Sequence, residues 1–449
     1  MAQTFVVVGG DAAGLSAASK AKRDDPDLEV IVFERGEWVS YAACGMPYFV
    51  KGEIESLDDL VQVTAEEFRE QRDVDLRTGH EVTAVDPDAQ TVTVEADGET
   101  FEQSYDDLLI ATGAGPVVPP FEGIDLDGVF TFQHPTAAAA VADYLDAEAP
   151  ERVGIIGGGY VGLEMAEAFA GRGVDVHVFE MLPHVLAPFG NEIAPAVEDH
   201  LREQGVTLSL DTAVDGFDGE GGRVTAIETD EERVPVDMAL VGVGVDARVD
   251  IAEAAGIELG ESGAIAVDEY GETSAEHVYA AGDCAEATNV VTGAPDHVPL
   301  GLTANRRGRA VGATVAGTPT EGGPIAGTAI VKVFDLGVAR TGVIDEERAR
   351  EAGFDPVSVT IEAPSRADYY PGAQPITVHA VGDRDSRRLL GAAMVGREGV
   401  KRIDTVATAL HAGMTVDEVE RLDLAYAPPF SPTWDPVLTA ARVLAGNLS

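Results

Sequence analysis

The chain has 449 residues, enough for two to four domains at roughly 100–200 residues each. It carries 79 acidic against 30 basic residues, a formal net charge of −49, and only five of the basic residues are lysines. That balance excludes the clustered Lys and Arg that nucleic acid requires and disfavours an anionic membrane surface; with 45% hydrophobic residues the chain is nonetheless globular rather than an acidic tail.

The acids are spread along the whole length rather than gathered in one block. This points to a surface adapted to high salt in preference to a dedicated acidic docking face. The longest apolar runs, such as Val236–Val245, fall far short of a bilayer span. No basic leader precedes the first apolar run at Thr4–Val8, so a cytoplasmic location is expected. Cys44 and Cys284 stand 240 positions apart with no CxxC or CxxxxC pair, so any thiol chemistry must run through a single cysteine. The nine histidines show no metal-ligand spacing, and no metal is expected.

In chain order, the first organised segment is Thr4–Arg35, TFVVVGGDAAGLSAASKAKRDDPDLEVIVFER. It reads as strand, glycine turn, small-residue helix, strand and acid. A second segment, Arg152–Met181, RVGIIGGGYVGLEMAEAFAGRGVDVHVFEM, reads the same way. This is the dinucleotide-binding βαβ pattern, present twice. The first glycine permits a tight turn, the second lets the backbone approach a pyrophosphate, and the third lets helix and strand pack closely. The helix N-terminus then offers free N–H groups to phosphate, and the closing acid accepts from ribose hydroxyls. The second copy is complete, with Gly157, Gly159, Gly162 and Glu180. The first keeps Gly9, Gly14 and Glu34 but has Asp11 at the middle glycine, a carboxylate tolerable beside pyrophosphate only if its side chain points away.

Two further strands end in a glycine: Leu108–Ala111 runs into Thr112 and Gly113, and Thr273–Asp283, TSAEHVYAAGD, ends on an acid able to accept from a ribityl hydroxyl. From Gly323 onward the pattern changes to period-2 strands at Ala329–Phe334, Val357–Ile361 and Ile376–Val381, then helices at Val400–Ala412 and Thr415–Arg421, which predicts an antiparallel α+β unit.

Together these features resemble the FAD-dependent pyridine nucleotide–disulfide oxidoreductases, over essentially the whole chain. The resemblance implies an α/β fold of two Rossmann-like domains, one for FAD and one for NAD, followed by a C-terminal α+β dimerisation domain. The expected divisions are residues 1–115 and 244–322 for the two parts of the FAD domain, 116–243 for the NAD(P)H domain and 323–449 for the dimerisation domain. FAD is expected on Gly9, Ala12, Ala13, Gly14, Glu34, Arg35, Val82, Thr112, Gly113 and Asp283. NADH is expected on Gly157, Gly159, Gly162 and Glu180, with Tyr160 gating the nicotinamide. Glu180 favours NADH over NADPH, because a carboxylate accepts from the 2′-hydroxyl and repels a 2′-phosphate.

The segment Ser40–Tyr48, SYAACGMPY, resembles the single-cysteine branch of that family: coenzyme A disulfide reductases, NADH oxidases, NADH peroxidases and persulfide reductases. Cys44 is then the redox thiol, with Ser40 beside it and Cys284 structural. Pro47 suggests a helix starting after Cys44, whose N-terminus would lower the thiol pKa. The segments ADYYPG (367–372) and LAYAPPFSPTWDP (424–436) resemble the coenzyme A disulfide reductases, in which tyrosines cross to the other subunit's active site; Tyr369, Tyr370 and Tyr426 are the candidates. Arg366 departs from the histidine usual in that branch. Lys20, Lys22, Arg23, Arg72 and Asn305 are the candidate anion site for coenzyme A. The expected partners are a small-molecule disulfide and a second copy in a homodimer. A chain ending at Ser449 leaves no room for the extra sulfurtransferase domain of many persulfide reductases, which weighs toward the disulfide. The alternatives are an oxidase or peroxidase cycling Cys44 through sulfenic acid, and a non-catalytic flavin-bound redox sensor.

Overall fold

The computed structural model describes residues 3–448. Three five-stranded sheets organise it. The first is parallel throughout, in the order Val278–Ala280, Asp107–Ile110, Thr4–Val8, Glu29–Glu34, Asp75–Thr78. The second is also parallel, in the order Thr207–Ser209, Asp175–Phe179, Arg152–Ile156, Met238–Val241, Val129–Thr131. The last strand of the first sheet follows the whole second sheet in sequence, so the second unit is inserted into the first. The central strands are apolar and almost wholly buried, as parallel strands covered on both faces must be.

The small residues of the first glycine-turn helix, Ala12–Asp24, have a packing reason. The helix Gly301–Val315 crosses it so closely that a Cβ on Gly308 or Gly312 would strike the carbonyls of Ala13 and Ala17. Glycines and alanines on both helices permit that contact, which fixes the first turn against the rest of the unit.

The third sheet is antiparallel, in the order Ala329–Val333, Leu336–Gly342, Leu389–Gly396, Pro375–Asp383, Pro356–Pro364. Three of its strands match the period-2 segments. The other two carried no such signal, and Leu389–Gly396 shows why: all eight residues are buried, so no polar alternation exists to read. The expected helix at Val400–Ala412 is a 3-10 turn, Val400–Arg402, followed by the helix Ile403–His411. The next, Val416–Glu420, starts at Thr415, whose hydroxyl accepts from Glu418 N–H while Glu418 reaches back to Thr415 N–H. A final helix, Pro436–Asn447, was not foreseen. No helix among the described residues is long and apolar enough to cross a membrane.

Candidate active site

The two glycine turns obey the same steric rules. Gly9 (φ +114°) and Gly157 (φ +104°) lie in the left-handed region, and a Cβ on either would run into a carbonyl oxygen, of Ala111 and Gly242 respectively. A Cβ on Gly14 would strike the Gly9 carbonyl, and one on Gly162 the Gly157 carbonyl. A Cβ on the middle glycine of the complete copy, Gly159, would meet nothing within 4 Å. The chain itself therefore does not require glycine there, which explains how Asp11 is tolerated in the first copy.

The acids that close the two repeats are held alike. Glu34 accepts from Gly10 N–H and Gly36 N–H, both at 2.7 Å. Glu180 accepts from Gly158 N–H at 2.7 Å and Leu182 N–H at 2.8 Å. Each carboxylate oxygen keeps a lone pair for a ribose hydroxyl. The residue after Glu180, Met181, is 71% exposed and supplies no cation for a 2′-phosphate.

A cavity of about 650 Å³ opens beside the first turn, lined among others by Gly9, Asp11, Glu34, Arg35, Thr112 and Asp283. Val82 and Gly113 also line it, and Ala12 and Ala13 begin the helix at its rim. The Thr112 hydroxyl donates to the Arg248 carbonyl (2.6 Å), tying this turn to the end of the short strand Val245–Ala247. Asp11 itself lines this cavity, and burial followed by the charges of Glu34 and Asp283 pushes its carboxyl up to about 7. Burial also raises Asp283. The turn, its free N–H groups and Glu34 fit a dinucleotide, and Asp11 fits beside pyrophosphate while it holds a proton.

A second cavity, of about 550 Å³, has Tyr160, Phe189, His297 and Arg340 on its walls. Tyr160, the first residue of the helix after the second glycine turn, is 37% exposed, and burial together with the charges of Asp283 and Cys44 raises its hydroxyl.

Cys44 lies in the 3-10 turn Ala43–Gly45, just ahead of the six-residue helix Met46–Lys51. As a residue Cys44 is exposed, whereas Cys284 is wholly buried with its sulfur 3.5 Å from the Ile110 and Ala281 carbonyls. Ser40, in a left-handed conformation (φ +48°), ties this segment to the first turn by donating its N–H to Gly10. The expected lowering of the thiol pKa is not found. Surrounding protein desolvates the sulfur, the Glu164 carboxyl adds to that, and together they raise it, while so short a helix supplies little opposing field. Glu164 was missed in the sequence. It lies four residues after Tyr160 on one helix face, a spacing that could have flagged it.

The chain as a whole is similar to known proteins. A family profile described as "Pyridine nucleotide-disulphide oxidoreductase" matches residues 3–304, and the profile of that family's dimerisation domain matches 328–436. The chain belongs to the pyridine nucleotide-disulphide oxidoreductase family. It is an oxidoreductase of that kind, and the family implies a flavin and a nicotinamide cofactor. A NAD(P)H coenzyme A polysulfide/persulfide reductase of Pyrococcus horikoshii is 40% identical over 445 residues, 99% of each chain. A coenzyme A disulfide reductase of Staphylococcus haemolyticus is 31% identical over 433 residues, 95% of this chain and 96% of that one. The structure of a water-forming NADH oxidase from Lactobacillus brevis bound to NADH superposes with a TM-score of 0.94 at 28% identity, covering 100% of this chain and 99% of that one. The Pyrococcus match corrects one inference: a relative of this length, without an added domain, bears a persulfide reductase name.

Within this family fold, the basic cluster is only partly free. Lys22 is engaged structurally: its ammonium donates to the Pro26 and Leu28 carbonyls (both 2.9 Å) and pairs with Asp73 (2.7 Å), closing the end of the helix Ala12–Asp24. That removes it from the candidate substrate set. Lys20 pairs with Asp24 one turn on. Arg72 stacks on Phe68 and donates to the Ser19 hydroxyl (3.0 Å), and the Asn305 amide oxygen accepts from the Ser16 hydroxyl (2.7 Å). Arg23 is exposed with no hydrogen-bond or ion-pair partner among the described residues. Ser16, Ser19 and Lys20 thus share one helix face with Arg72 and Asn305 beside it.

Among the described residues no hydrogen bond joins Tyr369, Tyr370 or Tyr426 to Cys44. Tyr369 and Tyr426 join hydroxyl to hydroxyl at 3.0 Å on the surface of the third unit, beside Phe430 and Trp434, which are 78% and 55% exposed. Arg366 stacks on Tyr370 and pairs with Glu398.

Proposed function

We propose that this protein uses NADH to reduce the disulfide of coenzyme A, or of a similar anionic low-molecular-weight thiol, through Cys44 as its single redox cysteine. The observation that carries the reading is the contrast between the two thiols: Cys44 is exposed on the turn ahead of the helix Met46–Lys51, and Cys284 is sealed in the core. FAD would be held by Gly9, Ala12, Ala13, Gly14, Glu34, Arg35, Val82, Thr112, Gly113 and Asp283, and NADH by Gly157, Gly159, Gly162 and Glu180. When bound, the flavin supplies two-electron transfer between nicotinamide and sulfur.

The remaining work belongs to the chain. Tyr160 covers the nicotinamide position until the cofactor displaces it. Lys20, Arg23, Arg72 and Asn305 orient the anionic part of the substrate. The Cys44 thiolate attacks the substrate disulfide, keeps one half as a mixed disulfide and releases the other as thiol. In a homodimer formed through the third unit, Tyr369, Tyr370 and Tyr426 would reach the partner's cleft. Their shared hydrogen bond lowers Tyr426 and raises Tyr369, which makes Tyr426 the stronger acid of the two. It would protonate the departing thiolate. Ser40 orients the thiol segment.

A second reading, a persulfide as substrate, is supported by the full-length match to the Pyrococcus enzyme; it uses the same sulfur–sulfur cleavage at Cys44. The two are separated by comparing kcat/KM for coenzyme A disulfide and coenzyme A persulfide. The common mechanism is tested by purifying the protein without added thiol and weighing the Cys44 peptide. A coenzyme A adduct supports it. Added oxygen with rapid oxygen or peroxide consumption overturns it in favour of an oxidase, and a Cys44→Ser variant with wild-type turnover removes Cys44 from the reaction. A flavin-bound sensor predicts negligible NADH turnover with every disulfide.

A further inference from the structure

Arg340 lies on the strand Leu336–Gly342 of the third sheet, level with Ala329 on one neighbouring strand and Ala393 on the other. These small neighbours leave space beside the long side chain. The guanidinium lies over the ring of Phe189, a residue of the second unit, at 5.8 Å. Arg340 therefore reaches across the seam between the second and third units. Its Nε is buried without a hydrogen-bond partner, and its guanidinium makes no hydrogen bond or ion pair among the described residues. A buried group with five N–H donors and a fixed charge is costly to leave unpaired.

Arg340 borders the cavity of about 550 Å³ that Tyr160 and His297 also line. The other charges there have partners of their own. Asp296 takes Arg348 (2.6 Å) and the Asn289 amide (2.8 Å). His297 Nε2 donates to the Asp283 carbonyl (2.8 Å). Asp345 accepts from the Arg348 N–H (2.7 Å), and Glu346 from the Ser358 hydroxyl (2.7 Å). Of the two arginines on this cavity, Arg348 is committed to Asp296 and Arg340 to nothing. Tyr160, on the same cavity, opens the helix Tyr160–Gly171 at the second glycine turn. That helix start has no side-chain cap, so its first N–H groups are free for an anion. A Cβ on Gly159 would meet nothing within 4 Å, so space is open at the turn. The turn brings no cation of its own, since Glu180 is an acid and Met181 is apolar.

We propose that Arg340 is a phosphate-binding residue for NADH, its guanidinium joining the N-terminus of the helix Tyr160–Gly171 in holding the pyrophosphate of the dinucleotide. The proposal rests on the reading of the second glycine turn as the NADH site. A dinucleotide brings two negative charges to a protein whose net charge is −49, and long-range repulsion must be offset by a cation close at hand. A planar guanidinium suits phosphate oxygens because it can donate two parallel hydrogen bonds. Binding then pairs a charge that the unliganded chain leaves without a partner.

The test uses the flavin-loaded protein at fixed salt. Anaerobic bleaching of the flavin against NADH concentration gives an apparent Kd and a limiting rate. Arg340→Met is expected to raise that Kd by about tenfold or more, the loss of a charge-assisted contact, with the limiting rate nearly unchanged. Reduced nicotinamide riboside, which carries no phosphate, is expected to bind both proteins alike. Without nucleotide, Arg340→Met should unfold at no lower a temperature than the wild type, because it buries no unpaired charge. Arg340→Lys keeps the charge without the planar fork and should fall between the two; it carries the same comparison if Arg340→Met does not fold. An NADH Kd equal in wild type and variant overturns the proposal. A wild-type unfolding midpoint raised by inorganic phosphate, with that Kd unchanged, overturns it in favour of a free-anion site. An equal loss for NADH and the riboside with a lowered unfolding midpoint also overturns it, by making Arg340 a packing residue. Failure of the parent reading looks different: NADH would then leave the wild-type flavin oxidised.

Discussion

Replacing Asp11 by Asn tests the electrostatics of the first dinucleotide cavity directly. The Asp11 carboxyl moves from 3.8 to about 7 on folding, first through burial and then through Glu34 and Asp283. About three pH units correspond to roughly 4 kcal/mol against its ionisation. The sign follows from linkage. Below the unfolded value the group is protonated in both states and costs nothing. As pH rises, the unfolded chain ionises while the fold keeps the neutral carboxyl, so stability is lost until about pH 7, where the fold ionises as well. A bound pyrophosphate adds negative charge at the same place and raises the carboxyl further. FAD binding must then carry proton uptake above about pH 7, and its affinity should fall by up to about tenfold per pH unit there. The assay is titration of the flavin-depleted protein with FAD, read by flavin fluorescence at fixed salt from roughly pH 5.5 to 9. Wild-type affinity should decline above pH 7, and that of Asp11→Asn should decline less by the slope of one proton. Asp283, His134, Arg35 and Arg248 border the same cavity in both proteins, so the difference between the two curves isolates Asp11. Parallel curves would refute the reasoning, because they would mean that Asp11 holds the same charge with and without the cofactor.

Three other predictions follow from the geometry. Glu180→Ala should cost NADH about tenfold or more in kcat/KM, on the order of 1.5 kcal/mol for a charged hydrogen bond, and should narrow the gap to NADPH in parallel steady-state assays. Lys22→Ala should lower the unfolding midpoint, by about 1–3 kcal/mol for the carbonyls it leaves unpaired, with KM for the disulfide unchanged, whereas Arg72→Ala should raise that KM and leave stability nearly intact. With 79 acids against 30 basic residues, both dimer and activity should weaken in dilute buffer and recover with added salt, as read by sedimentation and turnover; full stability without salt would remove the salt-adaptation reading.

The parts of the site that were legible in the sequence are those whose chemistry is local. Gly9, Gly14, Gly157 and Gly162 follow from backbone collisions within a single strand–turn–helix unit, and Glu34 and Glu180 are placed by the same unit, so spacing alone identifies them. The β-alternation at Val357–Ile361 and Ile376–Val381 was readable because those strands contain partly exposed positions, whereas Leu389–Gly396, buried at every residue, had no pattern to show. Lys22 looked like a ligand for anions because its charge is written in the sequence and its partners, the Pro26 and Leu28 carbonyls and Asp73, are not.

Cys44 marks the division most clearly. By itself the sequence determined that one cysteine, in SYAACGMPY and without a CxxxxC partner, is the candidate thiol, and that two dinucleotide turns flank it in the chain. Its charge state was decided only by tertiary structure. The nearby proline suggested a helix that would lower the thiol, but that helix has six residues, and in the folded chain burial and the charge of Glu164, 120 positions away, raise it while Glu167 binds Lys51 and Lys332. Local sequence fixes which groups a segment owns; the field at a sulfur is a sum over every charge packed around it, and that sum exists only once the units have docked.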